Sequence, residues 1–328
     1  MTSAALPPGR RATAPTLSVV VPAYNEAPVL HAFQQRLCAV MDNLGLPWEV
    51  VYVDDGSSDG TLELLLALKA QQPKIAVVAL SRNFGKEAAL TAGLDHARGS
   101  EAIIVIDADL QDPPEVIPAL VAAWREGVDV VYAQRRSRAG ETWLKRTTAS
   151  AFYRLMGQIG GPVRLPADTG DFRLMSRQAA DALLRLRERH RFMKGLFAWI
   201  GFPSRAVLYD RDPRAAGTTK WNYRRLWTLS LEGITSFTIL PLRVATWLGL
   251  GTAAFALTYG GWVVLKALLY RDPVPGYPSL MTMILLLGGV QLITLGVIGE
   301  YLGRIFNETK GRPLYIVGRH LPSGREER

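Results

Sequence analysis

Cysteine is nearly absent from this chain of 328 residues. Cys38 stands alone, so no intramolecular disulfide can form, and its place among Phe33, Leu37, Val40 and Met41 on a helical pattern marks a small core residue in a reducing compartment rather than a nucleophile. Acidic residues are outnumbered, 29 Asp and Glu against 38 Lys and Arg, which leaves a net charge of +9. That sign also suits a nucleic-acid binder, but no nucleic-acid motif is present. The cations cluster beside apolar segments, which points to anionic lipid headgroups and phosphorylated substrates instead. Residues 1–16 are basic and proline-containing and hold no apolar core of the kind a signal peptide has, so they read as a loose cytoplasmic tail rather than a signal peptide. The glycine fingerprint of dinucleotide binding is missing after the first apolar run, where Pro22-Ala23-Tyr24-Asn25-Glu26 stands, and this argues against a nicotinamide or flavin enzyme. Internal repeats and low-complexity tracts are absent as well.

What the chain does have, towards its end, is two long uncharged stretches. Val244 to Leu265 and Leu280 to Gly299 are each long enough to cross roughly 30 Å of hydrocarbon as a helix, and two membrane spans are expected; buried core helices are the competing reading. The proline-broken turn between them carries only Lys266 and Arg271. The outer flanks carry Lys220, Arg224, Arg225 and Arg243 on one side and Arg304, Lys310, Arg312 and Arg319 on the other. By the positive-inside rule both termini are cytoplasmic. Trp221 to Leu242 mixes cations, tryptophans and aliphatics with few acids, as an interfacial amphipathic helix does, a packed core helix being the alternative.

The first half alternates between strand and helix patterns. Strands are expected at Leu17–Val21, Glu49–Val53, Ile75–Leu80, Ala102–Ile106 and Val128–Ala133, with helices such as Val29–Leu44 and Thr61–Ala70 between them. This implies an α/β fold with a mainly parallel sheet. A basic loop, Gln134–Glu141, and helical stretches at Trp143–Ile159 and Arg177–Glu188 follow. Between those helices, Asp168-Thr169-Gly170-Asp171-Phe172-Arg173 returns carboxylates to the chain near an expected edge strand, and Arg191–Gly201 is amphipathic.

Carboxylates stand where three apolar runs stop: Glu26 after the first, Asp54 and Asp55 after the second, Asp107 and Asp109 after the fourth. In open α/β sheets the ligand crevice lies outside the carboxyl ends of the strands, so these acids converge if the sheet is parallel. A pair at i and i+2 suits a hard cation, which takes oxygen ligands from one or two carboxylates and from substrate phosphates. A solvated Asp-rich turn closed by Pro113 and Pro114 is the plainer reading.

Tyr24-Asn25-Glu26, Asp54-Asp55-Gly56-Ser57, the run Asp107 to Glu115, and Gly217-Thr218-Thr219-Lys220-Trp221 fall in the order found in the family 2 glycosyltransferases, which this chain resembles from about Leu17 to its C-terminus. The two apolar stretches and the closing Arg312-Pro313-Leu314-Tyr315-Ile316-Val317 make it similar to the polyprenyl-phosphate group of that family, and to its bacterial membrane-anchored branch in particular. A processive polysaccharide synthase would carry Gln-x-x-Arg-Trp and more spans, and this chain has neither.

The resemblance implies a GT-A nucleotide-sugar-binding domain over 17–220, an interfacial helix over 221–242, a two-helix transmembrane anchor over 243–303 and a cytoplasmic tail over 304–328, at the inner membrane. It implies transfer with inversion from a nucleotide sugar, best UDP-glucose, to undecaprenyl phosphate; GDP-mannose and a UDP-pentose stay open as donors, and a non-catalytic membrane scaffold is the alternative of another class. Pro22, Ala23, Tyr24, Glu26 and Asp54 line the nucleoside pocket by this resemblance, although strand termination alone accounts for Pro22 and Ala23 and a turn role for Asp55. Asp107, Asp109 and Gln111 hold Mg2+ or Mn2+. Arg135, Arg214 and Lys220 surround the donor diphosphate and acceptor phosphate. Asp171 is the catalytic carboxylate, with Asp168 as runner-up and an Asp171–Arg173 salt bridge as the structural alternative. Relatives of this kind imply a homo-oligomer.

Overall fold

The computed structural model describes residues 15–136, 169–189, 191–210, 240–270 and 276–324. The chain divides into two units, Met1–Arg225 with Pro313–Arg328, and Leu226–Arg312.

The first unit is built on one sheet. Strands β1 (Leu17–Ala23), β2 (Trp48–Asp54), β3 (Ile75–Leu80) and β4 (Ala102–Val105) are buried along their whole length, the pattern of strands covered on both faces. They pair in parallel in the order β3-β2-β1-β4. β5 (Val130–Arg135), β6 (Thr169–Ser176), β7 (Ser204–Tyr209) and β8 (Val317–Leu321) extend the sheet to β7-β5-β6-β4-β1-β2-β3-β8. The α/β fold with a mostly parallel sheet is therefore as the alternation predicts, and β1 to β5 start and stop within two residues of the expected runs.

Two expectations need correction. Residues 169–176 do not form an edge strand: β6 lies antiparallel between β4 and β5, and β7 is the edge on that side. Residues 304–328 do not simply trail away, because β8 pairs antiparallel with β3 at the opposite edge. Its anchoring is specific. Tyr315 Oη donates to Asp95 Oδ2 at 2.6 Å, and the Ser323 hydroxyl donates to Glu49. Glu49 is otherwise a costly buried acid, and it also receives the Ser18 hydroxyl at 2.5 Å and the Arg98 amide at 2.6 Å.

Helices α1 (Ala27–Asn43), α2 (Thr61–Gln71), α3 (Lys86–His96), α4 (Ile117–Arg125), α5 (Arg177–Leu184) and α6 (Met193–Trp199) accompany the sheet. α1 opens with Pro28 in its first turn, where the missing amide costs nothing, and buries Val29, Leu30, Phe33, Leu37 and Met41 at helical spacing. α3 carries no comparable stripe. Its Ala88, Ala89, Ala92 and Gly93 let it lie close on the sheet: a Cβ at Gly93 would stand 2.3 Å from Val20 Cγ1. From β1 the chain steps outward to β2 and β3, then returns to place β4 on the other side of β1. The carboxyl ends of β1 and β4 therefore flank the point where strand order reverses, which is where such sheets open a crevice.

The second unit contains α7 (Leu240–Tyr270) and α8 (Tyr277–Thr309), packed on one another as a hairpin. Two spans were expected. Among the described residues one stretch, Leu286–Thr309 of α8, is long and apolar enough to cross a membrane, with a mean hydropathy of 1.4.

Candidate active site

Two loops at the carboxyl ends of β1 and β2 are tied together by side chains. The Asn25 amide donates to Ser57 Oγ at 3.0 Å, the Ser58 amide to Asn25 Oδ1 at 2.9 Å, and the Glu26 amide to Thr61 Oγ1 at 2.9 Å. Asn25 accepts a φ of 57°, which its short polar side chain tolerates. Pro22 and Ala23 close β1 in the interior, Tyr24 is exposed at the rim, and Asp54 is buried with the Ser57 amide on its carboxylate.

Asp55 has a structural task. Its two oxygens accept the amides of Phe84 at 2.7 Å and Gly85 at 2.9 Å, so it fixes the loop that enters α3. Burial raises its pKa against those bonds. Gly56 is required beside it, since a Cβ there would sit 2.6 Å from the Arg82 carbonyl carbon and φ is 68°.

The loop fixed by Asp55 delivers Lys86 to the centre of the crevice. Lys86 Nζ lies 2.7 Å from Asp107 Oδ2 and 2.7 Å from Asp171 Oδ2. The sheet register explains the meeting. Val105 of β4 faces Arg173 of antiparallel β6, so two residues further on, Asp107 runs out beside Asp171. Burial alone would lift Asp171, but Lys86, then Lys194 and Arg173, hold it down to about 2. Burial and the charge of Asp171 push Asp107 upward, against Lys86. Lys86 is itself raised, because the two acids outweigh its desolvation.

Asp109 accepts the Gln111 amide on Oδ1 at 3.1 Å, in a turn that holds Leu110 at φ 59°. Gln111 and Asp112 are buried beneath it. Arg135 ends β5 opposite Tyr209 of β7, whose hydroxyl donates to Asp112 and also bonds Arg135. A Cβ at Gly170 would come 3.7 Å from Asp112 Oδ2 and 3.9 Å from Arg135 Nη2, so this cation lies against the start of β6. The alternative of an Asp171–Arg173 salt bridge is not realised, the Asp171 carboxylate pairing with Lys86 instead. Arg173 donates to the backbone carbonyls of Gly170 at 2.9 Å and Asp171 at 3.3 Å, and stacks on Phe197 at 3.5 Å. Burial lowers it to about 10.

The structure thus brings Asp107, Asp171, Lys86, Lys194 and Arg173 into one charged group, with Asp109, Gln111 and Arg135 on the elements that carry it. Arg214, Lys220 and Asp168 lie outside the described residues. Lys86, Lys194, Asp112 and Tyr209 were missed from sequence. Gly85-Lys86 after the third apolar run was the available signal, a strand end without an acid. The donor set has the chemistry of a hard-cation site, since Asp107, Asp109 and Gln111 offer only oxygen as ligand atoms, although among the described residues no group of three or more His, Cys, Asp or Glu is placed to hold a metal ion. The protein would supply few ligands and leave positions for phosphate and water.

The open, mostly parallel α/β sheet with charged groups gathered at its switch point is the GT-A-like fold that the family resemblance implies. A model of glycosyl transferase family 2 matches residues 18–184, and a model described as the GtrB C-terminal hairpin matches residues 240–305. An uncharacterized glycosyltransferase of Synechocystis sp. is 54% identical over 301 residues, 92% of this chain and 94% of that one. A prophage-derived bactoprenol glucosyl transferase of Shigella flexneri is 46% identical over 301 residues, 92% of this chain and 97% of that one. Among solved structures, glucosyl-3-phosphoglycerate synthase from Mycobacterium tuberculosis aligns at 21% identity with a TM-score of 0.46, covering 66% of this chain and 75% of that one. The chain belongs to glycosyl transferase family 2 and is a glycosyltransferase.

Proposed function

We propose that the chain transfers glucose, with inversion, from UDP-glucose to undecaprenyl phosphate at the cytoplasmic face of the membrane. The observation that carries this reading is the meeting of Asp107 and Asp171 on one ammonium at the switch point, in a chain 46% identical to a bactoprenol glucosyl transferase over nearly its whole length. A lipid monophosphate has a second pKa of about 6 and is mostly a dianion at neutral pH, so it needs little help as a nucleophile. A phosphate oxygen attacks the anomeric carbon, the bond to the diphosphate breaks, and UDP departs. Asp171, held ionised, orients the acceptor side through Lys86 and Lys194 rather than removing a proton.

Asp107, Asp109 and Gln111 would hold Mg2+ or Mn2+, which when bound neutralises charge on the diphosphate leaving group. Arg135, with Arg214 and Lys220, supplies fixed positive charge for the same phosphates. Pro22, Ala23, Tyr24, Glu26 and Asp54 form the nucleoside pocket, consistent with two loops pinned to each other.

Both α7 and α8 are read as spans. Their outward side chains support this, with Trp247, Leu257, Trp262 and Leu292 all largely exposed, a surface that water does not favour. Thr246, Thr252 and Thr258 return their hydroxyls to carbonyls one turn earlier, as an apolar setting demands. Charge supports the sidedness: Arg304, Lys310, Arg312 and Arg319 stand at and beyond the end of α8, whereas the end of α7 and the turn after it carry only Lys266 and Arg271 as cations.

The test offers a panel of labelled nucleotide sugars to membranes containing the protein and undecaprenyl phosphate, followed by lipid extraction. Label from UDP-glucose is expected in the lipid fraction. Label only from GDP-mannose or a UDP-pentose would overturn the donor, and no lipid-linked sugar from any donor would overturn the reading.

A further inference from the structure

The sugar-transfer reading uses Lys86 on the side of Asp171 and leaves its bond to Asp107 without a role. Its ammonium donates to one oxygen of Asp107 and one of Asp171, each at 2.7 Å, the first just beyond β4 and the second within β6. Asp107 is also a ligand assigned to the divalent cation. One carboxylate is thus asked to serve two positive partners, and Lys86 is already seated. The seating is built in: Asp55 clamps the Phe84 and Gly85 amides, Gly56 permits the close approach of residues 82 and 83, and Lys86 is the first residue of α3.

We infer that Lys86 is a resident counter-ion of the Asp107–Asp171 pair, competing with the divalent cation for Asp107 and ceding that carboxylate when the cation arrives with the donor. This rests on the metal-assisted reading above. Its physical basis is charge. Two carboxylates brought together in a partly closed site repel one another, and an ammonium between them removes that cost while substrate is absent. When Asp107 turns to the incoming cation, Lys86 keeps Asp171 and exposes an ammonium face that the first acid had covered. The bare site is thereby tuned to bind metal weakly by itself and better together with a diphosphate, whose oxygens replace what Asp107 withdraws from Lys86.

Mn2+ binding to the full-length, detergent-solubilised protein without donor, read by electron paramagnetic resonance, tests the competition. A hydrogen bond to a charged group is worth about 1.5–3 kcal/mol, so Lys86→Met is expected to tighten Mn2+ by roughly tenfold or more. Lys86→Arg, which retains the charge, stays near wild type. Lys194→Met, which removes a cation facing Asp171 but leaves Lys86 on Asp107, shifts affinity by less than about threefold. Asp109→Ala separates the two levels. If it abolishes Mn2+ binding while Lys86→Met matches wild type, the competition is overturned and the metal site stands. If wild type and Asp109→Ala bind Mn2+ alike, or no form of the protein binds it, Lys86→Met included, both ideas fall. A measurement on the unmodified chain covers any failure of the variants to fold: at constant pH, Mg2+ is expected to raise reductive methylation of Lys86 several-fold by mass spectrometry, and unchanged labelling overturns the inference.

Discussion

Asp171 and Glu87 are neighbours in the crevice with opposite electrostatic fates. Asp171 is stabilised as an anion. Its folded-state value of about 2 lies below the usual 3.8, so it adds stability that is present above that usual value and is lost as pH falls through about 2. Glu87, whose carboxylate accepts the Met193 amide at the start of α6, is pushed up to about 8 from 4.5, first by burial and then by the charge of Asp171. Here the sign reverses. The folded state binds the Glu87 proton more tightly than the unfolded chain does, so the contribution is full below pH 4.5 and is lost as pH rises through about 8. Glu87→Gln keeps an acceptor for Met193 and removes the titration; its melting temperature relative to wild type is expected to rise between pH 5 and pH 8.5, and parallel curves would refute this. For the chemistry, Asp109→Ala and Asp171→Ala are each expected to lower sugar transfer in membranes by at least about a hundredfold while folded protein accumulates. Substantial residual transfer by either variant would remove that residue from the assignment. Asp107 and Asp109 were legible in sequence because they stand where an apolar run ends, and Asp171 only through the family resemblance. Lys86 was not, because what makes it functional is a distance between strands β4 and β6 that only the antiparallel register creates.

At the scale of elements, legibility followed burial. β1 to β4 are continuous apolar runs and declared themselves. α3 hid because residues 88–94 are buried without a break, small residues among Leu90 and Leu94, which leaves no amphipathic period to read, and β7 hid because its short run is largely exposed. β6 was recognised as a strand but set at an edge, since the acids and Arg173 within it look like solvent-facing residues; they face a crevice instead, and Arg173 is buried by stacking on Phe197. The close seat of α3 on β1 makes a direct prediction. Gly93→Ala forces a methyl onto Val20 and is expected to destabilise the protein by about 1–3 kcal/mol, seen as a lower thermal midpoint. Gly56→Ala adds a left-handed backbone penalty to a clash with the 82–83 backbone, and because that segment leads to Lys86 it is expected to impair transfer as well as stability. A Gly56→Ala protein with wild-type turnover would contradict the assignment of the Asp55 clamp.

At the scale of the whole molecule, the chain leaves one unit for the hairpin and comes back. Alkaline carbonate is expected to leave the protein in the membrane pellet, and release into the supernatant would sink the spanning reading of α7 and α8. Truncation after Gly311 removes β8 and uncovers the edge of β3, an invitation to strand pairing between chains. Such a truncated protein is expected to run as aggregate on size exclusion, and a monodisperse product would show that β8 is dispensable. The same return path gives synthesis an order of events. The ribosome makes β3 early but the partner for its open side only after the hydrophobic hairpin, a wait on the order of 10–50 s at roughly 5–20 residues per second. Until translation is nearly finished the nascent sheet has one unsealed margin, so a message cut short anywhere in the hairpin yields a polypeptide that already holds its acids but has not been closed.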